Sequence, residues 1–138
     1  MKIVLDTNVL ISGLLTPFGV CGEIVRMLTS NVLTLCADSR ILFEYEDLLR
    51  RPRFAIDEKM IAELMAYIMI TSEMHSTQPL PSALPDPDDN PFLEVAISAK
   101  VNYLVTGNLK HFPPDLRCNI SVLAPREFLN AVVKSQAN

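Results

Sequence analysis

Short apolar runs that alternate with helix-length amphipathic stretches constrain this chain more than any other feature. Ile3 to Leu5, Val32 to Cys36, Asn102 to Thr106 and Ile120 to Leu123 are brief and rich in β-branched or other apolar residues. That is the pattern of short, buried strands. Gly22 to Thr29, Ser39 to Leu49, a stretch opening at Asp57, and the run Phe92, Leu93, Val95, Ala96, Ile97 carry apolar residues at helical spacing. Strands alternating with helices predict an α/β fold: a parallel sheet, covered on both faces, with right-handed crossovers. Sites in such sheets form at the C-terminal ends of the strands. Asp6 and Asn108 both lie just after predicted strands, and Asp89 precedes the helix that leads into the second of them.

Local chemistry sets the element ends. Ser39 is the expected N-cap of a helix running through Leu49, with Pro52 just beyond it, and Asp57 caps the next helix. In that helix Met60, Ile61, Leu64, Met65, Ile68 and Met69 form a stripe that reads as adaptable core or as a dimer face. Pro79, Pro81, Pro85, Pro87 and Pro91, half of the 10 prolines, make the segment from Gln78 to Phe92 a stiff loop. Pro91 suits a first helical turn, with Asp89 or Asn90 as the cap. Pro125 to Val133 reads as a final helix, followed by a polar tail over 134–138.

A chain of 138 residues can bury a core as one domain without disulfides. Cys21, Cys36 and Cys118 are odd in number and widely spaced, so they read as reduced core residues rather than as a zinc site. No apolar run approaches the length of a membrane span, and Asp6 interrupts the start where a signal peptide needs its apolar stretch. The expectation is a cytoplasmic protein with no membrane partner. The formal charge of −4, from 12 Lys+Arg against 16 Asp+Glu, lacks the footprint of a nucleic-acid binder. Acids gathered around a cation would reverse the sign locally.

The position of the acids therefore matters more than their number. Asp6 follows a buried strand, and alone it also reads as a helix cap. Asp86, Asp88 and Asp89 crowd a predicted helix N-terminus, where the dipole accommodates one or two charges but like charges raise one another's pKa unless a cation intervenes. Glu44, beside Glu46 and Asp47, reads alone as a surface acid. Separated acids that an α/β fold can bring to one strand-end crevice suit hard, oxygen-seeking Mg2+ or Mn2+.

In order, these segments resemble the motifs of the PIN-domain family. They are Ile3-Val4-Leu5-Asp6-Thr7-Asn8, then Asp38-Ser39, Phe43-Glu44-Tyr45 and Leu48 through Phe54, then Asp86 through Leu93, and finally Leu104-Val105-Thr106-Gly107-Asn108. The likeness runs from Lys2 to about Leu129 and is nearest to the VapC-type toxins of bacterial and archaeal toxin-antitoxin pairs. It implies one PIN-like domain over residues 1–138, a three-layer α/β/α sandwich with a central, mainly parallel sheet of four to five strands. It further implies a Mg2+- or Mn2+-dependent endoribonuclease that cuts single-stranded RNA to leave a 5′-phosphate, an antitoxin partner and a homodimer.

Residue by residue, the resemblance assigns the catalytic and metal-binding acids to Asp6, Glu44 and Asp89, with Asp88 as an adjacent helper. Asn108 stands where the family carries a fourth acid. An amide oxygen can ligate but adds no charge, which weakens one of two possible metal positions. Asn8 and Thr106 match small polar positions that support the carboxylates. Arg50, Arg51 and Arg53 form the one basic cluster for RNA, with Lys110, Lys100 and His111 as scattered candidates. Two alternatives remain open: a phosphatase of the haloacid-dehalogenase kind, which wants a general acid where Asn8 stands, and a degenerate PIN domain that acts by binding.

Overall fold

The structure is a computed structural model, and it describes residues 1–136. The chain runs β1 (Lys2–Leu5), α1 (Thr7–Leu15), α2 (Val20–Thr29), β2 (Thr34–Ala37), α3 (Ser39–Leu49), α4 (Glu58–Thr71), β3 (Glu73–Met74), α5 (Asn90–Ala99), β4 (Tyr103–Val105), β5 (Val122–Leu123) and α6 (Pro125–Gln136). The five strands form one sheet in the order β3-β2-β1-β4-β5, and every pairing is parallel. This is the three-layer α/β sandwich expected. β1 is central, with Ile3 level with Leu35 and Tyr103, and Leu5 level with Val105. Ile3, Val4 and Leu5 are fully buried, which is why the run is apolar without alternation.

Phe92 through Ala96 are buried without a break, because α5 lies across β1, β2 and β4. A helix apolar on nearly all sides belongs inside a fold. Its one charge, Glu94, is 8% exposed and meets the Arg40 guanidinium at 2.8 Å, as a buried charge must be paired. The Leu80 amide donates to the same carboxylate at 3.3 Å, and the Leu84 amide donates to Asn90 at 3.0 Å. These bonds fasten the proline-rich loop to α5 and so fix the approach of Asp86 to Asp89. On the other face, α6 packs on β4 and β5, with Phe128 edge-on to Tyr103 at 5.8 Å.

Several element ends differ from expectation. The N-cap of α3 is Asp38, whose carboxylate accepts from the Ile41 amide at 3.1 Å, and Ser39 is the first helical residue. β2 starts at Thr34 rather than Val32 because Asn31 turns the chain with φ 63° and leaves Val32 exposed. The last helix continues past Val133 to Gln136, so the tail expected over 134–138 is helical as far as Gln136, and its last two residues lie outside the described ones. β3 is a strand with no sequence signal of its own, since Glu73–Met74 contains no apolar run. The methionine stripe splits: Met65 is buried, whereas Met60 and Met69 are exposed. Among the cysteines Cys36 is buried and Cys21 partly so, but Cys118 is exposed in a turn with φ 53°, which corrects its reading as core. No single helix among the described residues is long and apolar enough to cross a membrane.

Candidate active site

Asp6 leaves the end of β1 with its amide donating to Val105 O at 2.9 Å, which carries the β1–β4 pairing one residue beyond the strand. It occupies the N-cap position of α1, yet its carboxylate makes no cap hydrogen bond. Instead Oδ2 accepts from the buried Thr106 hydroxyl at 2.8 Å, with the Asn8 amide nitrogen 3.5 Å away. The helix-cap reading of Asp6 therefore fails for its side chain. Thr106 Oγ1 in turn accepts from the Asn108 amide at 3.0 Å, and Asn8 Oδ1 accepts from the Gly107 amide at 3.1 Å. The turn after β4 thus holds both polar neighbours of Asp6 in place.

Glu44 reaches the same point from α3. Its neighbour Tyr45 is fully buried and donates its hydroxyl to Leu5 O at 2.5 Å, which anchors α3 against the end of β1. Glu44 itself accepts a hydrogen bond from the Thr7 hydroxyl. The sequence reading missed Thr7; its only signal is a small polar residue between Asp6 and Asn8. Asp89 arrives on a 3-10 turn, Pro87–Asp89, in which the Asp86 carboxylate accepts from the Asp88 amide at 3.0 Å. That turn leaves Asp86 and Asp88 exposed and buries Asp89 at the start of α5.

These acids line one cleft of about 330 Å3, together with Asn8, Arg53, Phe54 and His111. His111 Nδ1 lies 3.0 Å from Asp89 Oδ2, but without hydrogen-bond direction, so this buried oxygen has no hydrogen-bond partner. His111, read from sequence as a scattered candidate for phosphate contact, is brought to the site by a short turn after β4.

The other basic candidates fare differently. Arg50 pairs with Glu58 at 3.0 Å and with Glu46, and Arg51 pairs with Asp47 at 2.7 Å, on a separate depression of α3. Neither lines the cleft. Lys110 and Lys100 are exposed and also lie outside it, and Asn108, half-buried, is not part of its lining either. Of the residues proposed for RNA, Arg53 and His111 line the cleft, the Arg53 guanidinium 4.8 Å above the Phe54 ring.

Charge crowding marks the site. Burial, reinforced by the Asp6 charge and opposed by His111, pushes the Asp89 carboxyl up to about 6. Burial also raises Asp6, against the Thr106 hydrogen bond, and raises Glu44, against the Thr7 hydrogen bond and with help from Asp6, Asp88 and Asp86. Every shift points upward, with burial the largest cause in each and neighbouring acid charge adding to it at Glu44 and Asp89. Converging carboxylates, one with a buried oxygen left without a hydrogen bond, form a donor set that fits a hard divalent cation.

The sequence matches the PIN domain over residues 2–110. The chain belongs to the PIN-domain family. PIN domains are generally nucleases that use divalent metals, and at that level this one is a hydrolase. The domain is similar to an uncharacterized protein, MJ1680, of Methanocaldococcus jannaschii. The two are 26% identical over 145 residues, covering 97% of this chain and 93% of that protein. A chain in the crystal structure of VapBC2 from Rickettsia felis, bound to a DNA fragment from their promoter, shares the fold with a TM-score of 0.60. Identity is 15%, over 90% of this chain and 98% of that chain.

Proposed function

We propose that this PIN domain is a Mg2+- or Mn2+-dependent endoribonuclease acting on single-stranded RNA. The observation that carries the reading is the convergence of Asp6, Glu44 and Asp89 on one cleft, where the buried Asp89 Oδ2 accepts no hydrogen bond and has the His111 ring 3.0 Å away. Asp6, Glu44 and Asp89 would hold the ion, which when bound supplies positive charge to polarise a phosphodiester and to acidify water for in-line attack. Thr106 and Thr7 donate their hydroxyls to Asp6 and Glu44 respectively, which holds the two carboxylates in place at the cleft. Arg53 offers a guanidinium to a neighbouring phosphate, and Phe54 offers a ring face to a base. His111 places a ring nitrogen 3.0 Å from Asp89 Oδ2, at the edge of the same cleft.

The likeness in fold to a VapBC2 chain supports a toxin-antitoxin setting with an antitoxin partner; we further propose that the antitoxin covers the cleft and that the pair works in the cytoplasm. Exposed Met60, Met69 and Ile70 on α4 support a homodimer. The phosphatase alternative is not carried further, because Asn8 is occupied in fixing the Gly107 amide and provides no general acid. The degenerate-domain reading draws on Asn108, whose side chain lies outside the cleft lining.

Cleavage of a labelled single-stranded RNA by the purified protein, with Mn2+, Mg2+ or EDTA, tests the proposal. Metal-dependent cutting lost in both Asp6→Asn and Asp89→Asn is the expected result. Cutting that persists in EDTA, or in either variant, would overturn it.

A further inference from the structure

A second group of ligand-type side chains sits at the opposite side of the sheet from β5, away from the cleft. Cys36 of β2 is in register with Glu73 of β3, and the His75 amide donates to Ala37 O at 3.0 Å, extending that pairing past Met74. Side chains two residues apart on a strand share a face, so Cys36, Glu73 and His75 converge. One donor atom from each, a sulfur, a carboxylate oxygen and a ring nitrogen, lies within 4.8 Å of the others. Glu73 Oε1 is already 2.7 Å from His75 Nε2 and 2.8 Å from Lys2 Nζ. Cys36 is buried, while Glu73 and His75 are partly open to solvent, which gives an ion a way in.

A mixed sulfur, nitrogen and oxygen set suits borderline-soft divalent cations, not the hard ions of an all-oxygen cleft. Zinc bonds of about 2.0–2.3 Å place tetrahedral ligand atoms roughly 3.3–3.5 Å apart. The side chains therefore need to close by little more than about 1 Å.

We propose that Cys36, Glu73 and His75 form a binding site for a zinc-class divalent cation that pins the edge strand β3 to β2, with water completing the coordination. Loading releases the Cys36 thiol proton to solvent and displaces the Lys2 ammonium, whose half-exposed chain has room to swing outward. The ion thus replaces one cation on Glu73 by another and adds a bond to each flanking strand. The site is structural in effect: β3 is only two residues long and leads into the loop that delivers Asp86 to Asp89.

Co2+ titration of the full chain reads this out, because cobalt bound to thiolate gives a near-ultraviolet charge-transfer band and cobalt in the carboxylate cleft does not. The expected result is a band that saturates at one ion per chain, survives Cys21→Ser, Cys118→Ser and Asp89→Asn, and is lost in Cys36→Ser. His75→Ala, at a partly exposed position, should lose it too while remaining folded by circular dichroism. Lys2→Met should tighten binding several-fold. Absence of the band in folded wild type, or its survival in His75→Ala, would overturn the proposal.

Discussion

Asp89 concentrates the cost of the site in one residue. Its folded pKa, pushed up to about 6, lies above its ordinary value of 3.8, so the folded state holds the proton more tightly than the unfolded state does. The stability this contributes is fully present below pH 3.8 and is lost as pH rises through about 6. Asp6 and Glu44 are raised as well and act in the same direction. The metal-free protein therefore stands to gain from losing a charge here. At pH 7.5 in EDTA, Asp89→Asn should melt about 3–6 °C above wild type, and the gap should shrink at pH 5. A lower melting temperature for the variant at pH 7.5 would mean that His111 pairing outweighs the repulsion.

Elements meet the site through close packing and through one unpartnered surface. α1 and α2 cross so tightly that a Cβ at Gly22 would overlap the Pro17 carbonyl, and one at Gly13 would sit 2.8 Å from Cys21 O. Gly22→Ala should cost about 1–3 kcal/mol, read as a lower urea midpoint with an unchanged slope. An unchanged midpoint would show that the α1–α2 turn gives way freely. On α4, Ile70 is 84% exposed beside Met69 at 62%, and if this face joins two copies, Ile70→Lys should convert a dimer to a monomer by light scattering. Wild type that is monomeric at high concentration would remove the dimer. Most elements were legible because burial writes apolar runs into a sequence, as in β1, β4 and α5. β3 was not, since two residues held by ladder bonds and by the Lys2–Glu73 pair leave no periodicity to read. The α3 cap went to Asp38 over Ser39 because both residue types cap equally well and only the backbone decides.

At the scale of the whole molecule, topology gathers residues far apart in sequence at the C-terminal ends of β1 and β4. Asp6 was legible as a strand-end acid and Asp89 as one of three crowded aspartates, but Glu44 acquired meaning only through the family resemblance, since helical acids look alike until the fold turns one inward. Arg50 and Arg51 misled for the same reason: their pairing with Glu58, Glu46 and Asp47 is a matter of tertiary and helical neighbours, not of charge count. With Arg53 as the one cation of the former cluster lining the cleft, and a net charge of −4, RNA binding should depend weakly on salt. A plot of log K against log salt should have a slope of roughly −1, as for one or two phosphates on a single strand. A slope several times steeper would reveal a basic surface that the cleft does not contain.

The central claim is that Asp6, Glu44 and Asp89 together hold a hard divalent cation. Mn2+ calorimetry of the His75→Ala protein, which leaves the cleft intact, measures this directly. One binding event is expected, which weakens at least tenfold in Asp6→Asn and Asp89→Asn and strengthens as pH rises from 5.5 to 7.5, because Asp89 must give up its proton near 6 to bind. Binding that is absent, or that is unchanged when either aspartate is replaced, would contradict it.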